Sequence, residues 1–243
     1  FPVEILVGVA CVLLFAYTVV GLTGFGASMV AMPMLVHLLP LRIALPMMLI
    51  FDLVGGIAIG VRNRRSVDRG ELLRLVPFML VGIVLGVTVL VNAPERALLL
   101  VLGVFVLVFA AWSLLVRAAA APIRPGWAVP LGTLGGVFSA LFGTGGPIYT
   151  IYLARRVQDK SRLRATVSLL LFVSALARLF SFVAAGLFSP PGLLLLILLM
   201  LPCALAGMTL GTHLHHRLPA QHVVKAVWAI LVVGGATLVL RNL

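Results

Sequence analysis

Two charged residues stand alone in apolar surroundings: Asp52, midway along the run 43–61, and Arg178, midway along 163–187. An ionised side chain deep in a nonpolar medium is costly, so such residues mark ion paths or ligand contacts unless they neutralise one another. A buried guanidinium suits an oxyanion, to which it donates through a planar fork. A carboxylate near it would orient the guanidinium or carry a proton. Around Arg178, Ser174 and Ser181 fall at i−4 and i+3 and make one polar helix face; Asp52, Gly56 and Gly60 share another. The competing expectation is a structural Asp52–Arg178 ion pair that only locks two helices.

Two glycine-rich motifs could complete such a site. Gly24-Phe25-Gly26-Ala27-Ser28 is echoed 119 residues later by Gly143-Thr144-Gly145-Gly146-Pro147. Glycine weakens a helix, and a turn leaves N–H groups without intrahelical partners. Within a membrane those groups are tolerated where they line a cavity or meet a ligand. Short helices beginning near Ala27 and Pro147 would aim amides and positive dipole ends at an anion. Pro147 suits a first helical position because it has no N–H to leave unpaired. Ser28 and Thr144 would add hydroxyl donors. The expected substrate-binding set is therefore Gly24, Gly26, Ala27, Ser28, Gly143, Thr144, Gly145, Gly146, Pro147 and Arg178, with Asp52 as a coupling or ion-pair group. The alternative for any one glycine is close helix packing, the reading given to Gly56-x-x-x-Gly60, Gly82-x-x-x-Gly86 and Gly132-x-x-x-Gly136. No catalytic group, metal or cofactor is expected. His213, His215 and His216 cluster at the end of a span with no Cys or carboxylate nearby, which fits interfacial anchoring, as do His37 and His222 near other ends. Cys11 and Cys203 lie in apolar runs and read as buried thiols.

The elements that carry these residues follow from composition. Of 243 residues, 63% are apolar and 10% charged, against about 25% charged in soluble domains. So few charges cannot cover a globule of this size in water, which excludes a soluble enzyme, a nucleic-acid reader and a disordered tail. The net charge of +12 is spread in short basic clusters between apolar runs, the pattern of cytoplasmic loops. The first run lacks a basic leader and a small-residue cleavage site, so no cleavable signal is expected. Long runs at 3–20, 43–61, 72–91, 97–116, 127–142, 163–187, 192–212 and 223–240 approach the length of a span. Two shorter runs, 27–39 and 147–154, follow the glycine motifs. The runs must be helices, since strand-like alternation is absent.

Pro77, Gly82, Gly86 and Pro94 are echoed by Pro202, Gly207, Gly211 and Pro219, each displaced by 125. Two homologous halves, 1–117 and 125–243, are expected within one membrane domain. If 3–39 and 127–154 each crossed once, the basic residues would divide evenly between the faces. If each is a hairpin, the clusters at 62–74, 117–124, 155–164 and 217–225 share one face and hold 14, leaving Arg42, Arg96 and Arg241 opposite. The positive-inside rule selects the hairpins and makes loops 62–74 and 155–164 cytoplasmic. Each half then has a glycine-broken hairpin plus three transmembrane helices, an odd number of pieces, so the halves are inverted. The expected fold is an all-α integral membrane protein of the kind seen among secondary transporters.

The stretch from Gly24 through Pro33, a glycine-rich segment followed by an apolar run and proline, resembles the signature of the sulfite exporter TauE/SafE family. Phe142-Gly143-Thr144-Gly145-Gly146-Pro147-Ile148-Tyr149 is similar to its second copy. The family commonly shows a third consecutive glycine; here Ala27 and Ser28 depart from that pattern. The resemblance implies a multi-pass protein of the cell inner membrane that exports a small sulfur-containing anion, such as sulfite or an organosulfonate. The repeat layout implies alternating access around a midplane site between the motifs. The partners are then a small anion and the lipid bilayer, not nucleic acid. A passive small-anion channel is the alternative. An intramembrane serine protease is a weaker one: Gly26-Ala27-Ser28 offers a nucleophile, but no histidine lies at mid-membrane depth to activate it.

Overall fold

The computed structural model describes residues 2–23, 26–60, 66–115, 122–214 and 220–242. These residues form α-helices and connecting turns, and no strand occurs among them. The helices are α1 (Val3–Thr23), α2 (Ala27–Leu35), α3 (Leu41–Gly60), α4 (Arg69–Asn92), α5 (Glu95–Leu115), α6 (Ala128–Phe142), α7 (Gly145–Ala154), α8 (Lys160–Ala184), α9 (Leu193–Leu214) and α10 (Ala220–Asn242). A 3-10 turn, Pro125–Trp127, leads into α6. Every apolar run expected from the sequence is one of these helices. Among the described residues, six helical stretches are long and apolar enough to cross a membrane: α1, α4, α5, Pro125–Phe142, α8 and α9. The chain is an all-helical membrane protein, as hydrocarbon solvent demands of a backbone that must satisfy its own polar groups.

Both glycine motifs interrupt fold-backs. A Cβ on Gly8 in α1 would lie 3.1 Å from Leu38 Cδ1, so the turn after α2 has returned to the level of the first turns of α1. In the second case Gly145 abuts Ser139, Tyr149 abuts Gly135, and the Tyr152 hydroxyl reaches the Pro125 carbonyl at 3.5 Å. Helix α7 therefore runs back along α6 to the end where α6 began.

The helices gather into two compact units, each assembled from separate stretches of chain. One comprises 1–48, 93–117 and 189–243; the other comprises 49–92 and 118–188. In the second unit α4 packs on α6, with Gly82 and Gly86 set against the Thr133 and Val137 carbonyls and against Gly136 and Ala140. In the first unit α9 packs on α1, with Gly207 and Gly211 set against the Leu14 and Thr18 carbonyls and against Tyr17 and Gly21. Contacts this close need glycine: a Cβ on Gly207 would stand 2.6 Å from the Leu14 oxygen. Small residues let helix backbones touch where lipid removes the hydrophobic drive for association. The remaining surface carries large apolar side chains, such as Leu194, Leu195 and Leu198 on α9. Cys11 is exposed and Cys203 half-buried, which corrects the expectation of buried thiols. An apolar run in a membrane gives no sign of which positions face lipid.

Candidate functional site

Helix α6 ends at Gly143, whose φ of 72° lies in the left-handed region that L side chains avoid. Its N–H bonds the Ser139 carbonyl at 2.9 Å, and the Thr144 N–H bonds the Phe138 carbonyl at 3.3 Å. The chain reverses there, and α7 begins at Gly145 with Thr144 as a cap that makes no side-chain capping bond. Pro147 falls in the first turn, where a missing N–H costs nothing.

The glycines of this motif serve different ends. Gly143 is fixed by its backbone angle. Gly145 is fixed by packing, because a Cβ there would overlap the Gly135 carbonyl and press on Ser139 and the Tyr149 ring. Gly146 has no such cause: a Cβ would meet only the tip of Leu171, at an ordinary 3.4 Å. Gly146 leaves room that the protein's own packing does not fill.

Arg178, on α8 in the same unit, is buried, with only 5% of its surface exposed. Its Nη1 donates to the Ser139 carbonyl at 3.2 Å, and its Nη2 lies 3.5 Å from Asp52 Oδ2. Asp52 and Arg178 thus form an ion pair, and Asp52 is the more open partner. Ser174, one turn before Arg178, shares a hydrogen bond of 2.8 Å with Ser139 on α6. The structure brings Asp52, Gly143, Thr144, Gly145 and Arg178 together around Ser139. Ser139 itself gave no signal in the sequence, because a serine in a glycine-rich helix reads as a small packing residue.

Among the described residues three buried side-chain polar atoms lack a hydrogen-bond partner, and all three lie in this unit: Thr144 Oγ1, Tyr149 OH and Arg178 Nε. Tyr149 is fully buried, with its ring against Gly135 and Gly145 and its hydroxyl beside Ser139, Ser174 and Arg178. Tyr149 was not among the residues expected at the site. The signal available for it is a phenol placed four residues after Gly145 in an otherwise apolar short helix.

The first motif lies in the other unit. Gly24 and Phe25 fall outside the described residues. Gly26 is exposed, with φ −54° and ψ 129°, and a Cβ there would meet nothing within 4 Å. Ala27 and Ser28 are buried in the first turn of α2. Gly26 therefore resembles Gly146 in being a glycine that packing does not require.

At the far end of the α6–α7 fold-back sits a charged cluster the sequence did not reveal. Glu71, near the start of α4, is 5% exposed. Its Oε1 accepts from Arg156 Nε (3.0 Å), Arg156 Nη2 (2.7 Å) and Arg74 Nη1 (2.7 Å), and its Oε2 accepts from Tyr152 OH (2.7 Å). Arg156 Nη1 also donates to the Ile123 carbonyl at 3.2 Å. Hydrogen bonding to Glu71 holds the Arg156 guanidinium above the usual arginine pKa, against the opposing effect of its burial. Beside this cluster Arg162 pairs with Asp68 at 3.5 Å. Residues of the stretches 62–74, 117–124 and 155–164 thus meet at one end of this unit. Arg62, Arg64, Arg65 and Arg117 lie outside the described residues.

Among the described residues no group of three or more His, Cys, Asp or Glu comes together to hold a metal. His213 bonds the Thr209 carbonyl of its own helix at 2.8 Å, while His215 and His216 lie outside the described residues.

Comparison with known proteins adds a lineage to this geometry. A family model described as "Sulfite exporter TauE/SafE" matches residues 9–238. The "Probable inner membrane transporter protein TsaS" of Comamonas testosteroni is 27% identical over 194 residues, covering 79% of this chain and 81% of that protein. No solved structure matches.

Proposed function

The chain belongs to the sulfite exporter TauE/SafE family and is a membrane transporter, and from that premise we propose that it carries a small sulfur-containing anion outward across the inner membrane. Sulfite and organosulfonates are the leading substrates. The relative from Comamonas testosteroni is named as an inner membrane transporter, which supports the location. A transporter family gives no support to the protease reading.

The observation that carries the proposal is Arg178: a guanidinium buried at span depth, one of its nitrogens unpartnered, beside a turn whose glycine Gly146 leaves space. In this reading Arg178 is the cationic contact, and the amides at the start of α7 with Thr144 complete the anion's shell. Asp52 holds the guanidinium between transport events, so the empty site is neutral and the loaded one carries the substrate's charge. An ion pair in which the carboxylate competes with the guest is weak enough to open and strong enough to exclude lipid. Gly24, Gly26, Ala27 and Ser28 take the corresponding role in the first half by the sequence repeat. The two inverted halves supply the alternation of access.

A flux assay in proteoliposomes tests this. Under a sulfite gradient the protein should show saturable counterflow, and Arg178→Gln should abolish it. The double exchange Asp52→Arg with Arg178→Asp restores an ion pair but not the site. If the exchanged protein transports at the parental rate, the pair is structural and the assignment fails. Conductance at channel rates without saturation would instead establish the passive pore.

A further inference from the structure

The second unit holds three buried polar side-chain atoms that no hydrogen-bond partner meets among the described residues. The Ser139 carbonyl already accepts from the Gly143 amide (2.9 Å) and from Arg178 Nη1 (3.2 Å), which occupies both of its lone pairs. The Ser139 and Ser174 hydroxyls bond each other at 2.8 Å. Beside that set stand Thr144 Oγ1, Tyr149 OH and Arg178 Nε, all buried and all without a hydrogen-bond partner among the described residues. An Arg Nε–H can only donate, and the two hydroxyls are free to. A buried polar group left unpaired is costly, so three around one serine call for a guest that supplies acceptors.

We propose that Tyr149 is a substrate-contacting, specificity-determining residue, and that its hydroxyl, with Thr144 Oγ1 and Arg178 Nε, binds the oxygens of a small oxyanion. This rests on the anion-transport reading above and adds to it a residue and a selection rule. The tyrosine ring is wedged between Gly135 and Gly145, where a Cβ on either would press into it, so the hydroxyl cannot swing away to find another partner. Three fixed donors match a guest presenting at least three acceptor oxygens, the pattern of sulfite and of a sulfonate. A carboxylate offers two oxygens and a halide a single atom, so neither meets three donors held at separate points as a three-oxygen guest does.

Tyr149→Phe removes one oxygen and keeps the ring. The probes are sulfite, thiosulfate, methanesulfonate, formate and chloride, each titrated against the purified protein in detergent with thermal shift and calorimetry. The parent should bind sulfite and methanesulfonate more tightly than formate or chloride. Tyr149→Phe should weaken sulfite by about ten- to a hundredfold, the range for one hydrogen bond to a charged group. The empty variant should melt no lower than the parent, because the lost hydroxyl had no partner. Thr144→Val should act in the same direction. If Tyr149→Phe binds sulfite as the parent does while Arg178→Gln does not, the donor set is wrong and anion transport stands. The donor set is equally wrong if the empty Tyr149→Phe protein melts several degrees lower, since the hydroxyl would then have an internal partner. If no oxyanion binds the parent, both readings fall.

Discussion

Replacing Glu71 should damage the protein more than its position near a helix start suggests. The carboxylate accepts four hydrogen bonds, and its donors differ in exposure. Arg74 is half exposed, so its bond contributes under about 1 kcal/mol. Arg156 is 24% exposed and Tyr152 fully buried, so these two carry the cluster. Glu71→Ala takes from Arg156 its charge partner, leaving the Ile123 carbonyl, and from Tyr152 its short bond, leaving the Pro125 carbonyl at 3.5 Å, and losing one partner of a buried charge pair costs about 3–5 kcal/mol. At about 2–4 °C per kcal/mol for a chain of this size, the melting temperature should fall by roughly 10 °C. Arg156→Ala should cost about 2 kcal/mol, because Glu71 keeps Arg74 and Tyr152, and Arg74→Ala should cost least. The assay is the temperature at which the detergent-solubilised protein loses its monodisperse size-exclusion peak. If Arg74→Ala is as harmful as Glu71→Ala, or Glu71→Ala melts with the parent, the cluster does not tie α4 to α7 as argued.

Three further outcomes follow from close contacts and caps. Gly136→Ala drives a methyl into the Met79 carbonyl and toward Gly82 Cα at 2.9 Å, so α4 and α6 must separate at a cost of about 1–3 kcal/mol. Gly146→Ala should melt with the parent yet lose anion binding, and comparing melting curves with binding curves for the two variants separates packing glycines from site glycines. Asp159 caps α8 by accepting from the Arg162 amide at 2.7 Å. Asp159→Ala should cost about 1 kcal/mol, read from the same melting assay, with sulfite affinity unchanged.

Helix positions were legible because an unbroken apolar run in a membrane has one backbone solution, and Gly or Pro marks where it stops. Asp52 and Arg178 were legible because charge stands out in such a run. Glu71 was not, since it borders an arginine-rich loop in which a carboxylate reads as solvated. Burial there comes from Tyr152 and Arg156, 81 and 85 residues away, and no local pattern announces it. Tyr149 was hidden for the opposite reason: an aromatic ring in an apolar helix passes for packing, and only the absence of a partner for its oxygen shows otherwise. Spacing also made Gly145 and Gly146 look alike. Their difference lies in which of them faces α6, a matter of helix rotation that a motif cannot express.

The contacts of the four landmark glycines bear on the proposed repeat. Gly82 touches Thr133 and Gly136; Gly207, 125 residues on, touches Leu14 and Tyr17, which stand 119 residues before those partners. Gly86 and Gly211 repeat the relation with Val137 and Ala140, and with Thr18 and Gly21. The partners' displacement of 119 is the one found between the two glycine motifs. The same helix-on-hairpin contact is thus built twice, each time from a hairpin of one half and a glycine-bearing helix of the other. Coincidental glycine enrichment would scatter small residues without matching their partners. Each pair is held in place because replacing its landmark glycine drives a side chain into a backbone carbonyl. The exchange of partners between halves also explains why the compact units are discontinuous in sequence: neither half contains both sides of its own tightest helix contact.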